Sequence, residues 1–206
     1  MTIDHGPTET ISADGADLLD RLRAVGALKE GHFLLASGRH SDRYVEKFDL
    51  LRRPVETARV CAGFAEGFRE SRIDVVAGPT TGGVILAHEV GRQLGVAAAY
   101  AERRGDGESG REFRRGTTFA PGSRVLVVDD ILTTGGSIRE TLAALAAHPV
   151  EVVAVAVLVD RSGGTVEFGV PLSALATLTV ETWAEGECPL CASGVALVKP
   201  GTTAVG

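Results

Sequence analysis

The 206-residue chain contains few cysteines, few aromatic residues and no long apolar run. Its three cysteines are too few for the disulfide framework that stabilises many small secreted domains. No apolar run reaches transmembrane length, and the opening MTIDHGPTET lacks the basic start and apolar centre of a signal peptide. We therefore expect a cytoplasmic protein with no membrane partner.

The chain also has fewer basic than acidic residues, 21 lysines and arginines against 27 aspartates and glutamates. The formal net charge is −6, which does not favour binding to nucleic acid or to an anionic membrane surface. Any site for an anion must therefore be a local basic feature. Hydrophobic residues make up 44% of the chain and charged residues 23%, as is ordinary for a globular protein long enough to bury a substantial core.

Short valine-rich runs alternate with helix-like segments through the middle of the chain. Near-continuous apolar runs of this kind are typical of parallel strands that are covered on both faces. The pattern predicts an α/β fold with a central, mostly parallel sheet flanked by helices. The expected strands are 74–78, 96–102, 124–130 and 151–160, the expected helices are 83–94 and 137–148, and a polar loop is expected at 103–116.

The stretch VLVVDDILTTGGS, Val125 to Ser137, combines two acids with a glycine-rich turn. Asp129 and Asp130 fall at the carboxyl end of a predicted strand, where ligands bind in open parallel sheets. The turn and the helix start after it can hold a phosphate through backbone amides. Because carboxylates repel phosphate, they need donors, and two neighbouring ribose hydroxyls are suitable. The alternatives are a magnesium ion bridging acids and ligand, or a plain helix cap at Asp130 with Asp129 facing solvent.

The same string resembles the phosphoribosyl pyrophosphate (PRPP) signature of the type I phosphoribosyltransferases. The resemblance implies that the catalytic Asp129 and Asp130 hold the ribose hydroxyls, and that Mg²⁺ is held mainly by PRPP. A second glycine-rich turn, GPTTGG at 78–83, stands where this family binds pyrophosphate. The PRPP-binding residues expected from the resemblance are Asp129, Asp130, Ile131, Leu132, Thr133, Thr134, Gly135, Gly136, Ser137, Thr81, Gly82 and Arg103.

Four further segments resemble the orotate phosphoribosyltransferases: HFLLASGRHSDRYVEK, GPTTGGVILAHEVGRQLG, VLVDRSGG and CPLCASGVALVKPG. The resemblance implies transfer of the phosphoribosyl group of PRPP to orotate, giving orotidine 5′-phosphate and pyrophosphate in de novo pyrimidine (UMP) biosynthesis. Arg161 would hold the orotate, Thr133 would touch it and Tyr44 would pack nearby. A surface salt bridge for Arg161 and a core position for Tyr44 are the alternatives.

The resemblance also implies the layout of the chain. We expect the type I phosphoribosyltransferase fold, with a small hood built from the N-terminal segment and part of the C-terminus. Residues 1–12 would be a flexible tail and residues 13–206 a single domain. Within that domain the hood would comprise about 13–50 and the C-terminal segment, and the core about 54–170.

The arginine-rich stretch RRGDGESGREFRR, Arg103 to Arg115, is either a solvated loop or a mobile lid. As a lid it would cover the pyrophosphate and stabilise the charge that develops on the leaving group. In the family this loop often acts across a dimer interface, so we expect a homodimer. The lid residues would be Arg104, Arg111, Arg114 and Arg115.

Several lysines of well-studied family members are missing. Ala36 stands where many have lysine, and Thr81-Gly82 stands where many have an aromatic residue and lysine. Lys47 and Arg43 are the nearby candidates to compensate. These departures leave open two alternatives: a phosphoribosyltransferase for another base, and a non-catalytic regulator of the same fold that senses PRPP or nucleotides.

The remaining chemistry-bearing motif is CPLC, with Cys188 and Cys191. A zinc knuckle needs four ligands, and the sequence offers no second CxxC or CxxH. The motif therefore predicts a structural turn or a redox-sensitive pair, with zinc shared across a dimer as the alternative. Cys61 lies in an apolar helical pattern and is expected in the core.

Overall fold

The computed structural model describes residues 9–10, 15–35, 37–105 and 108–200. The strands, in chain order, are β1 (Glu9–Thr10), β2 (Leu28–Leu34), β3 (His40–Val45), β4 (Val75–Pro79), β5 (Ala97–Arg103), β6 (Arg111–Phe113), β7 (Ser123–Leu132), β8 (Val150–Asp160), β9 (Leu172–Thr177) and β10 (Thr182–Trp183). The helices are α1 (Gly15–Ala24), α2 (Lys47–Leu51), α3 (Pro54–Phe68), α4 (Gly82–Leu94), α5 (Gly136–Leu145) and α6 (Pro189–Ala192), with a 3-10 turn at Glu185–Glu187.

The central sheet has the strand order β1-β9-β8-β7-β4-β5-β6. Its neighbouring strands run parallel except for the β5–β6 pair, which is antiparallel. The predicted α/β class with a mostly parallel sheet is therefore confirmed. Strand β1 lies within the predicted N-terminal tail, and the other residues of that tail, 1–8 and 11–12, lie outside the described residues.

Both faces of the sheet are covered because side chains along a strand point alternately to opposite sides. In β7, Leu126 and Val128 pack into the cluster shared with α3 and α4. Val125 and Val127 pack into the other cluster, which contains residues of α5. This double burial explains why the central strands are apolar at consecutive positions.

A second, three-stranded sheet forms the predicted hood. Its order is β10-β3-β2, and both of its strand pairs are antiparallel. It joins an N-terminal hairpin to a strand from the C-terminal part of the chain. Helix α1 ends at Ala24, and Leu28 begins β2.

None of the helices in the described ranges combines the length and apolar character that crossing a membrane requires.

Candidate active site

The two predicted acids are buried near the end of β7. Asp129 is 5% exposed and Asp130 is 3% exposed. The backbone N–H of Asp130 donates to Oδ1 of Asp129 (2.9 Å), and the Ser137 hydroxyl donates to its Oδ2 (2.7 Å). The Ile131 N–H donates to Oδ1 of Asp130 (2.7 Å). Both carboxylates are thus held by β7 itself and by the start of α5.

Among the described residues, a cation lies at hydrogen-bond distance from Asp130 but not from Asp129. The Lys47 ammonium lies 2.9 Å from Oδ1 and 2.8 Å from Oδ2 of Asp130. Burial raises the pKa of Asp129 to about 6, and the charge of Asp130 adds to this effect. The hydrogen bonds from Ser137 and the Asp130 N–H, together with the charge of Lys47, act in the opposite direction. The pair therefore has an electrostatic need for further donors or cations. The lysine expected to compensate near this site does lie in it.

The turn after β7 has the shape of an anion site. Thr133 and Thr134 are exposed, and α5 begins at Gly136 after Gly135, whose φ is +77°. A Cβ at position 135 would lie 2.9 Å from the ring of Phe168, so both conformation and space favour glycine. The Arg139 guanidinium stabilises the turn by donating a hydrogen bond to the Thr134 carbonyl (2.6 Å). The first N–H groups of a helix have no intrahelical partner and attract anions.

The second glycine-rich turn lies directly against the acids. Helix α4 begins at Gly82, after a cis peptide bond between Thr80 and Thr81. A Cβ atom at position 82 would lie only 1.8 Å from Oδ2 of Asp130. The start of α4 can therefore approach the carboxylate this closely because residue 82 is glycine. The predicted Thr81 and Gly82 thus lie beside Asp130.

The predicted base-binding residues gather at the end of β8. The Arg161 N–H donates to the carbonyl of Leu132 (2.8 Å), which places Arg161 beside Thr133. Its Nε is buried and has no hydrogen-bond partner among the described residues. Burial lowers the pKa of Arg161, and the Tyr44 phenol works in the opposite direction. Burial raises the pKa of Tyr44 itself, and Arg161 is among the cations that oppose this, so the two side chains interact.

The prediction of a loop at 103–116 was wrong for Arg111–Phe113, because these residues form β6 and pair with β5. Polar residues hid this strand from sequence reasoning. Arg111 is 4% exposed, donates to Oγ1 of Thr80 (2.9 Å) and pairs with Glu140 (3.2 Å). It therefore lacks the exposure expected of a lid side chain. Phe113 anchors the hairpin through an edge-on contact with Phe119, at 5.1 Å between ring centroids.

The other predicted lid arginines are exposed on this hairpin. Arg103 ends β5, opposite Arg111. Arg104 lies 3.9 Å from Glu108, Arg114 pairs with Glu112, and Arg115 pairs with Glu102 at 3.1 Å. Side chains of this kind can exchange partners readily, because exposed ion pairs contribute little stability.

Two histidines were missed by sequence reasoning. His32 and His40 lie with Cys188 and Cys191 in one cluster, and the potential ligand atoms all lie within 4.8 Å of one another. The search for a second CxxC or CxxH was the wrong test, because the partners come from neighbouring strands. The available signal was the pair of histidines on either side of the turn residues Ser37 and Gly38.

A cleft of about 190 Å³ lies between α1 and α3, away from these residues. Its lining includes none of the predicted site residues, and its two arginines form ion pairs, Arg21 with Asp17 and Arg59 with Glu56. The residues that line it are Asp17, Leu18, Arg21, Arg59, Val60, Gly63 and Leu175.

Comparison with known proteins agrees with this geometry. The family model described as Phosphoribosyl transferase domain matches residues 54–171. An orotate phosphoribosyltransferase of Caldicellulosiruptor bescii is 45% identical over 185 residues, covering 89% of this chain and 95% of the relative. One from Caldicellulosiruptor saccharolyticus is 46% identical over 188 residues, covering 91% and 96%.

Solved structures give the same answer. Orotate phosphoribosyltransferase from Aeropyrum pernix superposes with a TM-score of 0.68 at 32% identity, covering 78% of this chain and 93% of that one. The chain therefore belongs to the phosphoribosyltransferase family and, within it, to the orotate phosphoribosyltransferases. The family resemblance inferred from VLVVDDILTTGGS is confirmed.

Proposed function

We propose that this protein transfers the phosphoribosyl group of PRPP to orotate, producing orotidine 5′-phosphate and pyrophosphate for pyrimidine nucleotide synthesis. The observation that carries the proposal is the buried acid pair, Asp129 and Asp130, lying between two glycine-rich helix starts. That arrangement matches a sugar with a phosphate at each end. The family assignment favours orotate among the possible bases, and so does the buried Arg161 Nε, which has no hydrogen-bond partner in the part of the chain that the structure describes.

PRPP would bind along the carboxyl edge of the sheet. The ribose hydroxyls would donate to Asp129 and Asp130, a charge-assisted contact that supplies the donors these buried acids need. The 5-phosphate would accept hydrogen bonds from the backbone at Thr133 to Ser137 and from the hydroxyls of that turn. The pyrophosphate would lie at Thr81 and Gly82, at the start of α4, with Arg103 nearby.

The reaction breaks the bond between C1 of the ribose and a pyrophosphate oxygen, and forms a bond from C1 to a ring nitrogen of orotate. The electron pair of the broken bond leaves with pyrophosphate. Positive charge develops on the ribose meanwhile, and the carboxylates of Asp129 and Asp130 stabilise it from a buried, fixed position. The attacking ring nitrogen of orotate loses its proton as the new bond forms, and the departing pyrophosphate or solvent would take up that proton.

Orotate carries a carboxylate, and Arg161 offers a donor for it. The guanidinium can form two parallel hydrogen bonds with a carboxylate, which sets the orientation of the ring. Its Nε is already removed from water without a partner, so an arriving anion satisfies a buried donor. Tyr44 would pack against the base, and Thr133 would touch its edge.

The oxygen donors of this site fit magnesium. Mg²⁺ prefers one or two carboxylates together with substrate phosphates and waters. Asp129 and Asp130 provide the carboxylates. Burial and the charge of Asp130 raise the pKa of Asp129, and a nearby cation would oppose that effect. When bound, mainly to PRPP, the ion would neutralise charge on the departing pyrophosphate.

We also propose that the chain acts as a homodimer, with exposed arginines of the β5–β6 hairpin closing over the pyrophosphate of either subunit. The hairpin lies at the edge of the central sheet and carries Arg103, Arg104, Arg114 and Arg115. Light scattering would give the oligomeric state. Restoration of activity on mixing Arg104→Ala with Asp130→Asn subunits would support action across the interface.

A base-selection assay tests the proposed reaction. Protein, PRPP and Mg²⁺ are mixed with orotate, adenine, hypoxanthine, guanine or uracil, and pyrophosphate release is followed. We expect turnover with orotate only. Turnover with another base would show that this base, and not orotate, is the substrate. Binding of PRPP without turnover would indicate a regulator instead of an enzyme.

A further inference from the structure

Four side chains from two distant parts of the sequence lie together beside strands β2 and β3 of the hood. His32 lies in β2 and His40 in β3, while Cys188 and Cys191 belong to the C-terminal turn around α6. Leu34 pairs with His40, and His32 lies two residues before Leu34, in the irregular stretch between Glu30 and Phe33. Nε2 of His32 lies 2.9 Å from Nδ1 of His40, so the two imidazoles face each other. The hairpin thus presents both imidazoles to the CPLC turn.

Three nitrogen–sulfur separations in the cluster fall in the range expected around one tetrahedral ion, and the two imidazole nitrogens lie somewhat closer together than in that range. Metal–nitrogen bonds of about 2.0–2.1 Å and metal–sulfur bonds of about 2.3 Å imply ligand separations of about 3.3–3.8 Å in a tetrahedron. Nε2 of His32 lies 2.9 Å from Nδ1 of His40 and 3.4 Å from the Cys188 sulfur. The Cys191 sulfur lies 3.7 Å from the first nitrogen and 3.3 Å from the second.

The orientation of His32 is also that of a ligand. Its Nδ1 lies 2.8 Å from the carbonyl of Val195. Because a carbonyl only accepts, this nitrogen carries the proton, and in the neutral ring Nε2 directs a lone pair into the cluster. A backbone carbonyl on the far nitrogen of a metal-binding histidine is a common way to fix the ring and its tautomer.

The donor set indicates zinc. Two thiolates and two imidazoles in a tetrahedron suit Zn²⁺ or an iron–sulfur cluster. A two-iron cluster would need its bridging sulfides between the ligand pairs, but the sulfurs here lie 3.3–3.7 Å from the imidazole nitrogens. We propose that His32, His40, Cys188 and Cys191 bind a single structural Zn²⁺ ion. With all four positions filled by protein, the ion has no open site for catalysis.

The proposed ion would fasten the C-terminal segment around α6 to the hood. Helix α6 has four residues, and residues 191–199 are all exposed. Apart from the cluster, the segment meets β2 through two backbone hydrogen bonds of Val198, one with Leu34 and one with His32, each 2.8 Å. Structural zinc contributes folding free energy directly in such small segments.

Zinc binding would also stabilise the hairpin that serves the active site. Strand β3 continues from His40 to Tyr44 and leads within a few residues to Lys47 at the start of α2. Removing the ion should therefore loosen the hood first. The expected sign is a lower melting temperature on chelation, and this shift should be absent in a variant that lacks one ligand.

Metal content tests the proposal directly, on the full chain without a histidine tag and purified without chelator. We expect one zinc per chain by mass spectrometry of metals, with X-ray absorption showing two sulfur and two nitrogen neighbours. Replacing zinc with Co²⁺ should give the visible bands of a tetrahedral ion and a thiolate charge-transfer band. Cys191→Ser, at the exposed ligand, and His40→Ala should each lose the zinc.

Matched controls use residues outside the cluster. Cys61→Ala and His88→Ala each remove the same kind of side chain and should keep one zinc per chain. If a ligand variant fails to fold, the wild-type metal content and the cobalt spectrum still decide. Wild-type protein that holds no zinc after incubation with one equivalent and dialysis, or that carries a Cys188–Cys191 disulfide instead, would overturn the proposal. Full zinc retention in Cys191→Ser would do the same.

Discussion

Asp129→Asn should change the pH dependence of stability in a calculable way. Burial and the charge of Asp130 raise the pKa of Asp129 from 3.8 to about 6. The folded state therefore binds this proton more tightly than the unfolded state does. The resulting stability is fully present below pH 3.8 and is lost as pH rises towards about 6. At about 1.4 kcal/mol per pKa unit, the loss is about 3 kcal/mol.

The assay is urea unfolding of wild type and Asp129→Asn, each measured at intervals from about pH 4 to pH 7.5. Asparagine keeps the shape, can still accept the Asp130 N–H and has no charge to lose. The free-energy difference between the proteins should therefore move in favour of the variant by about 2.4 kcal/mol across that range, because part of the change already occurs below pH 4. Taking the difference cancels groups common to both proteins, including the proposed zinc ligands.

Asp20→Asn, which removes an exposed carboxylate on α1, controls for the loss of one negative charge. A difference between wild type and Asp129→Asn that stays flat with pH would refute the reasoning. So would a difference that moves in favour of wild type as pH rises, because the carboxylate would then be stabilised in the folded protein.

Three further substitutions test separate parts of the site. Asp130→Asn should lower kcat by about 100-fold, because it removes a buried negative charge that stabilises the developing positive charge on the ribose, while the free energy of unfolding in urea changes little. Normal turnover with normal PRPP affinity would contradict this role. Gly82→Ala should weaken PRPP binding, measured by calorimetry, because the new Cβ would lie 1.8 Å from Asp130 Oδ2, whereas Gly186→Ala, with open space around it, should not. Arg161→Ala should raise the KM for orotate by about 10- to 100-fold with little change for PRPP, and equal losses for both substrates would remove Arg161 from the base site.

The sheet and the acid pair could be predicted because their signals are local. Consecutive valines in β7 and β8 report burial on both faces, and that pattern needs no knowledge of the partner strands. Asp129 and Asp130 followed by Thr133 to Ser137 combine a strand end, a turn and a helix start within a few residues. The chain itself therefore specifies where these groups lie relative to one another.

The remaining features depend on contacts between distant segments. Lys47 reaches Asp130 across 83 positions, and Cys188 meets His32 across 156. Strand β6 was missed because Arg111 is charged, and only its pairing with Glu140 and its bond to Thr80 make burial tolerable. No local pattern records these partners.

We propose that Asp129 and Asp130 bind the ribose hydroxyls while the turn at 133–137 binds the 5-phosphate. A crystal structure with PRPP and Mg²⁺ tests it most directly. We predict both ribose hydroxyls within hydrogen-bond distance of the two carboxylates, with the phosphate against the start of α5. Carboxylates turned away from the sugar, or a phosphate bound elsewhere, would contradict the account.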